Sequence, residues 1–199
     1  MSLAKFSLTA FAGLMLLTAQ PSFACTLFGA AGEGVVEGGG TILAKTRDEH
    51  PGRQFFDIVR PSDGYAYMGL FTGRKGHFNM GVNEKGLVVA RSASGGIPKE
   101  KRLTYARFEK EGLRAPEWIA RHYATVDEVL AHPEIFKEPV NYILADKTKV
   151  VVVEVMPGGK TTVRVTEKGT AAHTNHFIEP QSNCLLYTSD AADDRISVD

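Results

Sequence analysis

The sequence predicts an α+β fold built on antiparallel sheets. Three observations carry that expectation. Short apolar and β-branched runs fill the first and last parts of the chain, compact turn signals separate them, and helical periodicity is confined to one central stretch. A regular alternation of strand and helix, the mark of a parallel sheet, is not the pattern.

From Cys25 onward the runs come in pairs. "CTLFGAA" and "TILAKTRD" flank the glycine-rich "GEGVVEGGG", which reads as a hairpin connection. "QFFDIVRP" and "YAYMGLF" flank Pro61-Ser62-Asp63-Gly64, where Pro fixes φ and Gly admits a positive one. "FNMGVNEKGLVVARSAS" places two further strands around Asn83-Glu84-Lys85-Gly86. Spacing of three and four then appears at Trp118, Ile119, His122 and Tyr123, and again at Val126, Val129, Leu130 and Ile135, with Asp127 and Glu128 at the amino end of the second segment. "VNYILAD", "KVVVVEVMP" and "TTVRVTE" return to strands. "RKGHFNMG" and "PKEKR" read as solvated loops, and no linker divides the domain.

The two ends differ from the body. Lys5, the apolar run Phe6 to Ala19 and the small residues Ser22 and Ala24 make residues 1–24 a secretory signal, cut between Ala24 and Cys25. The apolar run falls short of the roughly 20 residues a membrane span needs, so an exported protein, periplasmic or secreted, without stable membrane insertion is expected. Residues 184–199, "CLLYTSDAADDRISVD", have no hydrophobic period. Back-translated, they resemble a transposon-end adapter of short-read sequencing libraries. On that reading the folded domain spans residues 25–183 and is incomplete, residues 184–199 are a non-native tail, and the chain as it stands should fold poorly and act weakly.

Lys+Arg 23 against Asp+Glu 23 gives no basic face for nucleic acid. Two cysteines in an exported chain would suggest a disulfide, but a non-native Cys184 leaves Cys25 alone. Cleavage at Ala24 would make Cys25 the amino terminus, joining a nucleophilic thiol to an α-amine whose ordinary pKa, about 7.7–8.0, suits it to take the thiol proton. Such a residue needs a carboxylate to orient the ammonium and donors for an oxyanion. Asp48 ends the strand that pairs with the Cys25 strand and can supply the carboxylate, or it can simply cap the "DEHPG" turn. Asn175 in "AAHTNHFIEP" can supply an amide, or serve as a turn residue. His173 and His176 lack a ligand cluster, so no metal and no cofactor are expected. The glycine-rich stretch lacks the Lys-Ser/Thr ending of a phosphate loop.

The ordered set "CTLFG" after a signal, "ILAKTRDEHP", "GVNEKGLVV" and "HTNHF" resembles the amino-terminal-nucleophile (Ntn) hydrolases of the penicillin acyltransferase and choloylglycine hydrolase group, over nearly all of Cys25 to Asn183. The resemblance implies an αββα sandwich of two antiparallel sheets between helical layers. It makes Cys25 the nucleophile, Asp48 the partner of its amine and Asn175 an oxyanion or amine-orienting residue, with Lys45, Arg47 and Ser92 in the substrate or oxyanion region. Two departures argue against bile-salt specificity. Lys45 stands where bile-salt hydrolases have an arginine, with Arg47 next to Asp48, and Ala93, between Ser92 and Ser94, falls near their asparagine.

The function expected is hydrolysis of linear amides through a thioester on Cys25, with transfer to an acceptor amine as the variant outcome. The partner is a small-molecule amide, and a homo-oligomer is compatible with the sequence. The alternative is an exported binding protein lipid-anchored at Cys25. Ser22 disfavours it, because a lipidation signal normally has Leu or a similar residue there.

Overall fold

The computed structural model describes residues 25–48, 52–95 and 97–178. The expected signal segment 1–24 and the expected non-native tail 184–199 lie outside the described residues, as does Asn183.

Twelve strands among the described residues form two principal antiparallel sheets and a small hairpin. Strands β1 (Leu27–Ala31) and β2 (Thr41–Lys45) pair across the glycine-rich connection, and β12 (Gly169–His173) joins the other side of β1. The seven-stranded sheet runs in the order β11 (Thr161–Thr166), β10 (Val150–Val155), β9 (Val140–Ala145), β6 (Val88–Ala93), β5 (His77–Asn83), β4 (Tyr67–Thr72), β3 (Gln54–Val59). Between these strands lie α1 (Lys99–Arg102), the hairpin of β7 (Glu109–Lys110) and β8 (Leu113–Arg114), α2 (Ala115–His122), α3 (Val126–Leu130) and a single 3-10 turn, Pro133–Ile135.

The α+β antiparallel class is therefore the architecture observed. Central strands β9 and β10 are buried at every position, because one face of their sheet meets helices and the other meets the second sheet. That double burial explains why "VVVVEV" lacks the alternation of a half-exposed strand. Tyr142, Leu144, Val151 and Val153 point to the helical side and pack on Trp118, Ile119, Val126 and Val129. Ala90, Ile143, Val150 and Val152 point the other way, onto Leu27, Ala31 and Ala171 of the three-stranded sheet. The order helix, sheet, sheet makes three of the four layers of an αββα sandwich. On the outer face of the small sheet, Phe28 and Ile42 stand exposed, with no helix over them among the described residues.

Local chemistry accounts for the junctions. In the "NEKGL" turn, Asn83 Oδ1 accepts from the N–H groups of Lys85 and Leu87, while Nδ2 donates to the carbonyls of Ala120 and Tyr123 at the end of α2. Asn83 thus ties the β5–β6 hairpin to the helical layer, and Gly86 completes the turn at φ 87°. Thr125 caps α3 through Oγ1, which accepts from Glu128 N, and Asp146 Oδ2 accepts from Val126 N at 2.9 Å.

Three local expectations need correction. "RKGHFNMG" is a loop only over residues 74–76, because its last five residues open β5. "PKEKR" holds the one-turn helix α1, started by the fixed φ of Pro98, whose carbonyl accepts from Arg102 N. The second helical run also splits after Leu130. Pro133 has no N–H to continue α3 and keeps His132 out of helical geometry at φ −119° and ψ 67°. Among the described residues no helix is long and apolar enough to cross a membrane.

Candidate active site

Cys25 lies two residues before β1, half-buried, with a free thiol. The β1–β2 pairing sets its surroundings. Leu27 faces Lys45 and Thr46 N donates to Thr26 O, so the register carried outward brings Cys25 opposite Arg47, next to Asp48. On the other flank, Leu27 pairs with His173, and the chain leaving β12 carries Thr174 and Asn175 past Cys25. Residues far apart in sequence thus meet at one end of the sandwich because β1 is central in its sheet.

At this end Cys25 N donates to Asn175 Oδ1 at 2.6 Å. Asn175 Nδ2 donates to Ala93 O at 2.6 Å, and the Asn175 carbonyl accepts from Gly95 N at 2.7 Å. The amide orientation follows from its neighbours: Cys25 N–H can only donate and the Ala93 carbonyl can only accept. Its buried position and three partners fix Asn175 between the two sheets.

The other sequence-derived candidates surround this contact to different degrees. Asp48 is exposed, three residues beyond β2. Lys45 Nζ donates to the Arg91 carbonyl on β6, bridging the sheets, and Arg47 Nη1 donates to Gln54 Oε1 at 3.1 Å. Buried Ser92 donates from Oγ to the Thr174 carbonyl at 2.9 Å, one residue from Asn175. Ser94 is turned away, onto Pro139 O.

Beneath Thr174 runs a feature that the sequence reading missed. Ser92, Asn141, Glu154 and Thr162 are direct cross-strand partners on β6, β9, β10 and β11, on the face toward the small sheet. The next row along is Ala90, Ile143, Val152 and Arg164. All four side chains of the first row are thus polar, and that row lies at the end where Cys25 and Asn175 sit. Asn141 Nδ2 approaches Thr174 O at 3.4 Å. Glu154 Oε1 lies 2.7 Å from His173 Nε2, and both residues are almost fully buried. Burial pushes the Glu154 carboxyl up, but hydrogen bonds from His173, Ile178 N–H and the Thr162 hydroxyl outweigh it and leave it below the ordinary value. The available signal was Glu154 itself, a charge in the middle of a run of valines.

His173 is committed to Glu154 and Thr174, so its ring nitrogens already have oxygen partners. Elsewhere, Asp63, Glu111 and His122 bring potential ligand atoms within 4.8 Å of one another. The Arg121 guanidinium already bonds Asp63 and holds its carboxyl below the ordinary value, so a metal ion there would have to compete with that cation.

A family model described as acyl-coenzyme A:6-aminopenicillanic acid acyl-transferase matches residues 35–193. The match begins after Cys25 and includes Asp48, Ser92 and Asn175. No curated protein matches the chain by sequence. Among solved structures, penicillin V acylase from Agrobacterium tumefaciens is similar over 73% of this chain and 42% of its own, at 16% identity and TM-score 0.38. A variant of conjugated bile acid hydrolase from Clostridium perfringens is similar over 74% of this chain and 44% of its own, at 18% identity and TM-score 0.42. The chain spans less than half the length of either. With the family model covering most of its length, the chain belongs to the acyl-coenzyme A:6-aminopenicillanic acid acyl-transferase family.

Proposed function

We propose that this protein is an exported cysteine hydrolase of linear amides, able to pass the acyl group to water or to an acceptor amine, with Cys25 as its amino-terminal nucleophile. Removal of residues 1–24 would uncover the α-amine and so activate the enzyme. The observation that carries the reading is the 2.6 Å contact between Cys25 N and Asn175 Oδ1.

In the proposed reaction the Cys25 sulfur attacks the amide carbon while the α-amine takes the thiol proton. The C–N bond then breaks, the ammonium returns that proton to the leaving amine, and the acyl group remains on sulfur as a thioester. Water, deprotonated by the same amine, attacks the thioester, releases the acid and restores the thiol. An amine attacking in place of water gives acyl transfer. Asn175 supports this cycle as an amine-orienting group. Its oxygen faces the Cys25 nitrogen, and its Nδ2 is occupied by Ala93 O rather than directed at an oxyanion. Asp48 is proposed as the counter-charge to the ammonium, from its place beside Cys25 in the hairpin register.

Intact-mass analysis of the exported protein tests the activation step. The reading expects a free amino-terminal Cys25; a diacylated terminus would establish the lipid-anchored alternative instead. The chemistry is tested with penicillin V as probe, and a Cys25→Ala protein that hydrolysed it at the unsubstituted rate would refute the mechanism.

A further inference from the structure

We propose that Glu154 and His173 form a buried hydrogen-bonded pair that positions Asn175, and through it the amine of Cys25; this rests on the reading of Cys25 given above. The pair touches no reacting atom, so its members are positioning residues.

The hydrogen-bond roles of the pair follow from its partners. His173 Nδ1 lies 2.8 Å from the Thr174 carbonyl, which can only accept, so Nδ1 carries a proton. His173 Nε2 faces Glu154 Oε1 at 2.7 Å. Glu154 also accepts from Ile178 N–H and, at 3.0 Å, from the Thr162 hydroxyl. The Arg164 guanidinium borders the same crevice and donates to Ala172 O. Two donors besides His173 and a neighbouring cation favour an ionised carboxylate at Glu154.

His173 acts through a single carbonyl. Thr174 O receives His173 Nδ1, Ser92 Oγ at 2.9 Å and Asn141 Nδ2 at 3.4 Å, so donors from β12, β6 and β9 converge on the peptide joining Thr174 to Asn175. Holding that peptide sets the direction in which the Asn175 side chain leaves the backbone, and hence the oxygen that meets Cys25 N. A buried pair that served stability alone could be replaced by apolar groups of similar volume. Here the pair ends on the one peptide that presents Asn175.

The experiment uses the mature protein and alkylation of Cys25 by iodoacetamide, followed across pH by mass analysis of the amino-terminal peptide, which separates Cys25 from Cys184. A Gln at 173 places its amide nitrogen near the Nε2 position and an Asn places it near Nδ1. His173→Gln should therefore keep a donor for Glu154, lose the one for Thr174 O, slow alkylation about tenfold at neutral pH and displace its pH profile. The double variant Glu154→Gln with His173→Asn restores the donor to Thr174 O and leaves no unpaired carboxylate, so it should recover the original profile to within about threefold. A folded His173→Gln protein with an unchanged profile, or a folded double variant as impaired as His173→Gln, would overturn the proposal. If His173→Gln does not fold, the double variant decides by the same profile: recovery supports positioning and a displaced profile overturns it. Failure of the underlying reading shows separately, as penicillin V hydrolysis that survives Cys25→Ala.

Discussion

Asn175 presents its amide oxygen to the main-chain nitrogen of Cys25 at 2.6 Å, across 150 residues of sequence. The contact exists because β1 is paired on both sides, by β2 and by β12, so that the entrance to one strand and the exit of the other share an end of the sheet. If that oxygen orients the proposed catalytic amine, Asn175→Ala should lower kcat by about a hundredfold with little change in KM. Steady-state hydrolysis of penicillin V checks it.

Close contact between the sheets sets a second expectation. A Cβ on Gly29 would lie 2.5 Å from Val150 Cγ1, so β1 reaches its distance from β10 only through the missing side chain. Gly29→Val should destabilise the fold by about 1–3 kcal/mol or more through overpacking, and Val150→Ala in the same chain should recover part of that loss. Urea midpoints of the single and double variants measure both terms.

The acid limb of stability should depend on two buried carboxylates. At Asp146 burial raises the carboxyl, but N–H donors from Thr148, Val126 and Lys149 and the Thr148 hydroxyl bring it below its ordinary 3.8; Glu154 is likewise held below its ordinary 4.5. Carboxyls depressed in the folded state bind fewer protons than in the unfolded chain. Their stabilisation is therefore present above those ordinary values and lost as pH falls through the folded ones. Unfolding free energy should fall below about pH 4.5, and Asp146→Ala should cost about 1–3 kcal/mol at neutral pH while flattening that decline. Urea titrations from pH 6 to 3 test the sign.

Exposed apolar surface at the other edge makes a prediction about solubility. Phe56 and Ile58 on the edge strand β3 face away from the helical core, beside Met68 on β4, and all three are exposed. Phe56→Lys should reduce concentration-dependent scattering with less than about 0.5 kcal/mol change in stability.

Much of this arrangement was legible because it is local. Pro61-Ser62-Asp63-Gly64, "NEKGL" and the glycine-rich connection each place a turn where chain geometry demands one, and the strands on either side pair as antiparallel neighbours. The helix break at Pro133 could have been read from proline chemistry alone. What joins distant segments was not legible. The motif carrying Asn175 gives no sign that its partner is Cys25 N rather than an oxyanion, since that depends on β12 pairing with β1. Glu154 was visible only as a charge among valines, and its meaning needed the register that sets it beside Asn141 and beneath His173.

The central claim, that Cys25 is the amino-terminal nucleophile, is tested most directly by trapping the acyl group. Mature protein quenched in acid during turnover of penicillin V should carry one phenoxyacetyl group as a thioester on the peptide that begins with Cys25, and the Cys25→Ala protein should carry none. An acyl group on any other residue, or turnover at the unsubstituted rate in Cys25→Ala, would contradict the account.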